Sequence, residues 1–320
     1  MILAIGMVLL GVFLLYWGAE WLVSGTARFA VIAGVSSLLS GILIIGFGTS
    51  MPELVASLVA LYRGNGGDIA LGNVLGSNIA NIGLVTGIAA IICPLEISER
   101  TKKREMPIML VVTLLLAMVV FQGAVGRWSS LLLLLALVAY LLFQYFFGLS
   151  TNDDFIGSIE EELVNNQVET TKEIAFDCIR VAAGTIFLLL GGYCLVYGAV
   201  CIAHNYEVSE RVIGLSMVAL GTSCPELATA IVAAWKKHTQ LIIGNIIGSN
   251  IFNVLAIVGI SSMVFPFSFS RDLLFIDTLI MLGFTLAIAL LMKCKGVISR
   301  LDGVLFLLAY SIYFYFLFAA

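Results

Sequence analysis

The sequence predicts an all-α integral membrane protein, with ten transmembrane helices arranged as two inverted five-helix repeats. Three observations predict it. Of 320 residues, 61% are hydrophobic and only 11% charged, too few polar side chains to cover a water-soluble fold. The apolar residues lie in unbroken runs such as Leu131 to Leu142. A membrane barrel would show short alternating segments instead, and backbone groups in lipid pair within a segment as a helix. Finally, two motifs in the first half of the chain return in the second half with nearly the same spacing.

Each apolar run approaches or exceeds the roughly 20 residues that span hydrocarbon. The first, 1–26, lacks a positively charged start and is too long for a signal peptide, so it is expected to remain as a helix. The run 37–62 carries Gly48-Thr49-Ser50-Met51-Pro52-Glu53, and 69–94 carries Gly72-Asn73-Val74-Leu75-Gly76-Ser77-Asn78-Ile79-Ala80-Asn81. Runs 106–122 and 127–148 complete a first unit, 1–149. A polar linker, 150–173, follows; from 151 on it holds seven acids against Lys172 alone. It has no EF-hand spacing and reads as a solvated, cytoplasmic connector. The second unit, 174–320, opens with run 174–203. Run 210–235 carries Gly221-Thr222-Ser223-Cys224-Pro225-Glu226, and 240–265 carries Gly244-Asn245-Ile246-Ile247-Gly248-Ser249-Asn250-Ile251-Phe252-Asn253. Runs 272–292 and 298–319 end the chain.

Five runs per unit is an odd number, so the two units enter the membrane in opposite directions, as in many transporters. With the N-terminus outside, twelve Lys and Arg fall inside and four (Arg63, Arg127, Arg211, Arg271) outside. That bias predicts a multi-pass protein of the cell membrane with both termini extracytoplasmic. No basic cluster suits nucleic acid. The six cysteines lack CxxC spacing and read as small core residues.

Glu53 and Glu226 are acids deep in apolar runs, where a charge costs about 2.5–3.5 kcal/mol on insertion scales. Each follows a proline that removes an N–H and clashes with the preceding turn. Each motif helix is therefore expected to break, turning carbonyls, hydroxyls and a helix N-terminus into the bundle. Asn81 and Asn253 lie four residues beyond Ser77 and Ser249, on the same helical face. If the repeats are symmetric, all four motifs meet at one midplane point. Two carboxylates among amide, hydroxyl and carbonyl oxygens suit hard cations such as Ca2+ and Na+, and their joint charge matches one Ca2+ or two Na+. Asn73, Asn245, Asn78 and Asn250 read as helix-packing residues rather than ligands. Glu20 reads as an interfacial residue reaching water, and Asp277, outside the motifs, as packing or interfacial. No HExxH, GxSxG or His pair marks an enzyme, since His204 and His238 lie at loop ends. A channel shares an oxygen-rich lining, but inverted repeats with Pro-broken helices favour alternating access.

These four motifs resemble the α-repeats of the Ca2+/cation antiporter superfamily, which includes the prokaryotic Na+/Ca2+ exchangers, and the five-plus-five layout extends the resemblance over the whole chain. The resemblance implies a single chain forming a complete pathway, with four ion sites in a diamond and alternating access by movement of the first and sixth spans. By motif, Glu53 and Glu226 are then the central Ca2+ ligands, and Thr49 and Thr222 add carbonyls to Ca2+. Ser50, Ser77, Ser223 and Ser249, with the carbonyls of Gly46 and Ala219, serve Na+, and Asn81 and Asn253 complete the middle. Ca2+ and Na+ are cargo, and no resident cofactor is implied. Some members, K+-dependent exchangers among them, end the second motif in Asp where this chain has Asn253. That difference favours K+-independent Na+/Ca2+ exchange, with H+/Ca2+ antiport as the alternative.

Overall fold

A computed structural model of the chain describes residues 1–62, 64, 66–148, 170–205 and 219–319. The described residues are helical almost throughout. In chain order the helices are α1 (Ile2–Ile32), α2 (Ser37–Tyr62), α3 (Gly67–Ile92), α4 (Thr101–Gln122), α5 (Arg127–Gly148), α6 (Thr170–Asn205), α7 (Ala219–Thr222 with Cys224–Trp235), α8 (Thr239–Val264), α9 (Arg271–Lys295) and α10 (Arg300–Ala319). Among the described residues nine helices are long and apolar enough to cross a membrane. In α7 the described part is shorter, because the predicted run 210–235 extends into residues that lie outside the description, as does most of the linker 150–173. Exposed Leu132, Leu135 and Val138 on α5, and Leu305, Leu308 and Ile312 on α10, give the outer surface a composition that lipid covers.

Three boundaries differ from the sequence expectation by four residues or more, and paired charges accompany two of them. α1 runs past residue 26 to Ile32, and its Arg28 lies 3.3 Å from Asp177 of α6, a fully buried acid that also meets Arg180 at 3.5 Å. α6 starts at Thr170, so the last residues of the predicted linker are already helical. α4 starts at Thr101 because the charged turn Thr101–Glu105 is folded into the bundle. Buried Glu105 accepts a 2.6 Å hydrogen bond from Gln144 of α5 and sits 3.5 Å from Arg100. The cysteines depart from the expected core placement: of the six, Cys194 alone is buried, and Cys178 and Cys294 are exposed.

The motif-bearing helices α3 and α8 form the interior, and the most apolar stretch of α8 is buried throughout. α8 runs parallel to α2 at backbone contact. A Cβ added to Gly244 would meet the Leu38 carbonyl at 2.3 Å, and one added to Gly248 the Ile42 carbonyl at 2.6 Å. Around this interior, α1 and α6 run antiparallel and equally close. Added Cβ atoms at Gly11 and Gly18 would sit 2.9 Å and 2.8 Å from the carbonyls of Gly191 and Gly184. Only glycine permits such an approach.

Four two-residue strands clip the loops. β1 (Leu95–Glu96), after α3, pairs antiparallel with β4 (Val297–Ile298), before α10, and β2 (Ala124–Val125), after α4, pairs with β3 (Phe267–Ser268), before α9. Each clip joins one half of the chain to the other. The first gathers loops rich in Lys and Arg, and the second gathers the loops of Arg127 and Arg271.

Candidate cation site

The proline motifs shape the site first. Pro52 and Pro225 stand at the second position of Met51–Tyr62 and Cys224–Trp235. Neither has an N–H for the carbonyl four residues back, that of Gly48 or Gly221. The chain kinks at Ser50 (φ −82°, ψ 2°) and at Ser223 (φ −87°, ψ 3°), nearly the same conformation at equivalent positions. The expected break is thus a one-residue interruption. Hydrogen bonds from Ser50 N to Gly46 O (3.3 Å) and from Leu227 N to Ser223 O (3.1 Å) bracket the kinks, since each proline removes one donor only. Glu53 and Glu226 follow in the first turn of the resumed helix, near the positive end of its dipole.

The second motifs bring a feature that the sequence reading missed. Helices α3 and α8 widen into π-helical turns, Asn81–Val85 and Asn253–Val258, each beginning at the last Asn of its motif. Such turns concentrate at functional sites. The turn at Asn81 packs against the helix of Glu226, and the turn at Asn253 against the helix of Glu53.

The predicted residues meet where these elements cross. Ser77 Oγ donates to Glu53 Oε1 at 3.3 Å. Asn253 Nδ2 donates to Ser77 Oγ at 3.1 Å and to Asn78 Oδ1 at 3.0 Å, and Ser223 Oγ lies 3.5 Å from Ser77 Oγ. On the other side Ser249 Oγ donates to the carbonyl of Gly46 at 3.3 Å and lies 3.4 Å from Thr49 Oγ1. Glu226 lies close enough to Glu53, Thr49 and Ser50 to interact with each. Thr222 reaches across to Asn73. Ala219 opens the turn Ala219–Thr222 before the second kink.

What distinguishes this cluster is what it leaves unpaired. Glu53 and Glu226 are buried, at 0% and 1% exposure. Glu53 Oε2, both carboxylate oxygens of Glu226, the amide oxygens of Asn81 and Asn253, and Ser50 Oγ are buried without a hydrogen-bond partner among the described residues. Buried carboxylates and amides in such a state are strongly unfavourable. The unpartnered oxygens are carboxylate, amide and hydroxyl, the donor set of hard cations. Outside the cluster, Glu20 pairs with Lys236 of the α7–α8 loop, while Asp277 accepts a 3.1 Å hydrogen bond from Tyr313 of α10 and so packs α9 to α10. The buried acids Asp177 and Glu105 escaped the sequence reading because both lie beside basic residues at the ends of apolar runs.

The model of the sodium/calcium exchanger protein family matches residues 3–146 and 178–319. The chain belongs to this family. Among its relatives, the putative antiporter CaxA of Alkalimonas amylolytica is 34% identical over the full length of both chains. The sodium/calcium exchanger MaX1 of Methanosarcina acetivorans is 28% identical over 94% of this chain and 95% of its own. A solved structure of the sodium-calcium exchanger NCX_Mj, soaked with 10 mM Na+ and zero Ca2+, superposes with a TM-score of 0.83 at 30% identity, covering 97% of each chain. The protein is therefore a multi-pass, all-α membrane antiporter of cations, in the prokaryotic branch of the sodium/calcium exchangers.

Proposed function

We propose that this exchanger moves Ca2+ against Na+ across the cell membrane by alternating access at a midplane site built on Glu53 and Glu226. The observation that carries this reading is the pair of buried carboxylates in one cluster whose oxygens, among the described residues, remain largely unpaired amid neutral oxygen donors. Either one Ca2+ or two Na+ cancels that charge, and the site closes least readily around neither. In this reading Glu53, Glu226 and the carbonyls of Thr49 and Thr222 hold Ca2+. Ser50, Ser77, Ser223 and Ser249, with the carbonyls of Gly46 and Ala219, hold Na+, and Asn81 and Asn253 complete the centre. Ten spans form two inverted units, 1–149 and 174–320, around the cytoplasmic linker 150–173, with both termini outside. The antiparallel α1 and α6, each the first helix of its unit, support the inversion. Asn253 offers no second acid for K+ or for a proton, so neither is required.

In proteoliposomes of the purified chain, an outward-directed Na+ gradient is expected to drive Ca2+ uptake without K+. A third Na+ on the oxygen-rich flanks makes the cycle carry one net positive charge outward for each Ca2+ taken up, so an inside-positive potential is expected to speed uptake and an inside-negative potential to slow it. Uptake driven by a pH gradient in Na+-free medium, with none driven by Na+, overturns the Na+ reading in favour of protons.

A further inference from the structure

Asn73 and Asn245 stand at equivalent places in the two halves, one turn before Ser77 and Ser249. Each makes the same kind of double contact. Asn245 Oδ1 lies 3.3 Å from the hydroxyl of Thr49, which belongs to the other half. Its Nδ2 donates at 3.3 Å to Thr229 Oγ1, and that hydroxyl lies 2.9 Å from the carbonyls of Pro225 and Glu226. In mirror fashion, Asn73 Oδ1 accepts from Thr222 of the other half at 3.4 Å, and Asn73 Nδ2 donates to the carbonyl of Glu53 at 3.3 Å and to Ser57 Oγ at 3.4 Å. One end of each amide therefore grips the helix that bears its own half's carboxylate. The other end grips the proline-motif threonine of the opposite half.

We propose that Asn73 and Asn245 are positioning residues that fix the spacing between each carboxylate and the opposing threonine, and so set the cation affinity of the site. This rests on the proposed role of Glu53 and Glu226 as cation ligands. The amide is the side chain the place requires, because it offers a donor at one end and an acceptor at the other. Asp keeps the acceptor, loses the donor toward the Glu53 carbonyl or Thr229, and adds a third charge. Ala loses both and leaves buried partners unpaired. The reciprocal arrangement also means that a shift of one half's proline motif is transmitted to the other half's carboxylate helix. Thr49 and Thr222 thereby act in the site through their side chains as well as their backbone.

The test is a double-mutant cycle on the full chain, read as Ca2+-dependent thermal stabilisation in detergent and as the KM and maximal rate of Ca2+ uptake. Asn245→Ala and Asn73→Ala are expected to raise the KM for Ca2+ about tenfold, with a smaller effect on maximal rate. Asn→Asp at either place is expected not to restore it. Thr49→Val should weaken Ca2+ binding similarly, Thr49→Ser should not, and Asn245→Ala combined with Thr49→Val should be no weaker than the worse single variant. Thr49→Val and Thr222→Val keep the shape of the side chain, so they report even where an Asn→Ala chain fails to fold. Fully additive losses, or wild-type Ca2+ affinity in Thr49→Val and Thr222→Val, overturn the proposal. Absence of Ca2+ stabilisation in the unmodified chain overturns instead the role of the carboxylates.

Discussion

Glu53 and Glu226 differ in how far the protein itself satisfies them. Ser77 donates to one oxygen of Glu53, whereas neither oxygen of Glu226 has a hydrogen-bond partner among the described residues. No described lysine or arginine forms an ion pair with either. In the proposed cycle the cation supplies that missing charge. Glu53→Gln and Glu226→Gln keep the shape and remove the charge, so each is expected to lower Ca2+ uptake by about a hundredfold or more. The melting temperature of the cation-free protein is expected not to fall, because an unpaired buried charge disappears. Normal uptake by both variants places the site elsewhere. These two glutamates were legible in the sequence because nothing polar surrounds them except their own motifs. Asp177 and Glu105 were not, because their arginines sit close by in sequence or across the bundle, and such clusters look like solvated ends until the fold buries them. The reciprocal contacts of Asn73 and Asn245 were equally hidden, since they join residues 149 and 196 positions apart.

Among the helices, the sequence marked the proline kinks but not the π-helical turns. Proline and glycine announce their effects by identity. A turn such as Asn253–Val258, bonded i to i+5, lies in a uniformly apolar stretch whose pattern does not change where the bonding does. The backbone contact of α1 with α6 was not legible in the sequence, and the structure turns it into a testable seam. At Gly18 an added Cβ would lie 2.8 Å from the carbonyl of Gly184 and the nitrogen of Leu188, both backbone atoms that cannot rotate away. Gly18→Ala is expected to destabilise the protein by about 1–3 kcal/mol, measured as a lowered melting temperature in detergent. The added Cβ at Gly6 on the same helix meets no described atom within 4 Å, so Gly6→Ala serves as the control. Equal melting temperatures for the two variants contradict a backbone-contact seam.

For the molecule as a whole, the strand clips bear on topology independently of charge counting. β1 and β4 join the α3–α4 loop to the α9–α10 loop, and the hydrogen bond from Gln240 to the Glu96 carbonyl adds the start of α8 to the same face. β2 and β3 join the α4–α5 loop to the α8–α9 loop on the opposite face. Loops that pair through backbone hydrogen bonds share one side of the membrane. The positive-inside bias had grouped the same loops together from Lys and Arg alone: Arg100, Lys102, Lys103, Arg104, Lys293, Lys295 and Arg300 on one side, Arg127 and Arg271 on the other. The strands thus fix which loops belong together, and the charges predict which face is cytoplasmic. Two exposed positions separate the outcomes. Glu99 stands on the first face with its side chain 65% exposed, beside Lys102 and Lys103, and Gln122 is exposed at the end of α4 on the second. In a background with the six native cysteines replaced, a membrane-impermeant thiol reagent applied to intact cells is expected to label Gln122→Cys and to spare Glu99→Cys until the membrane is opened. The reverse pattern inverts the orientation while leaving the pairing of the loops intact, and labelling of both from outside contradicts the assignment of the two clips to opposite faces.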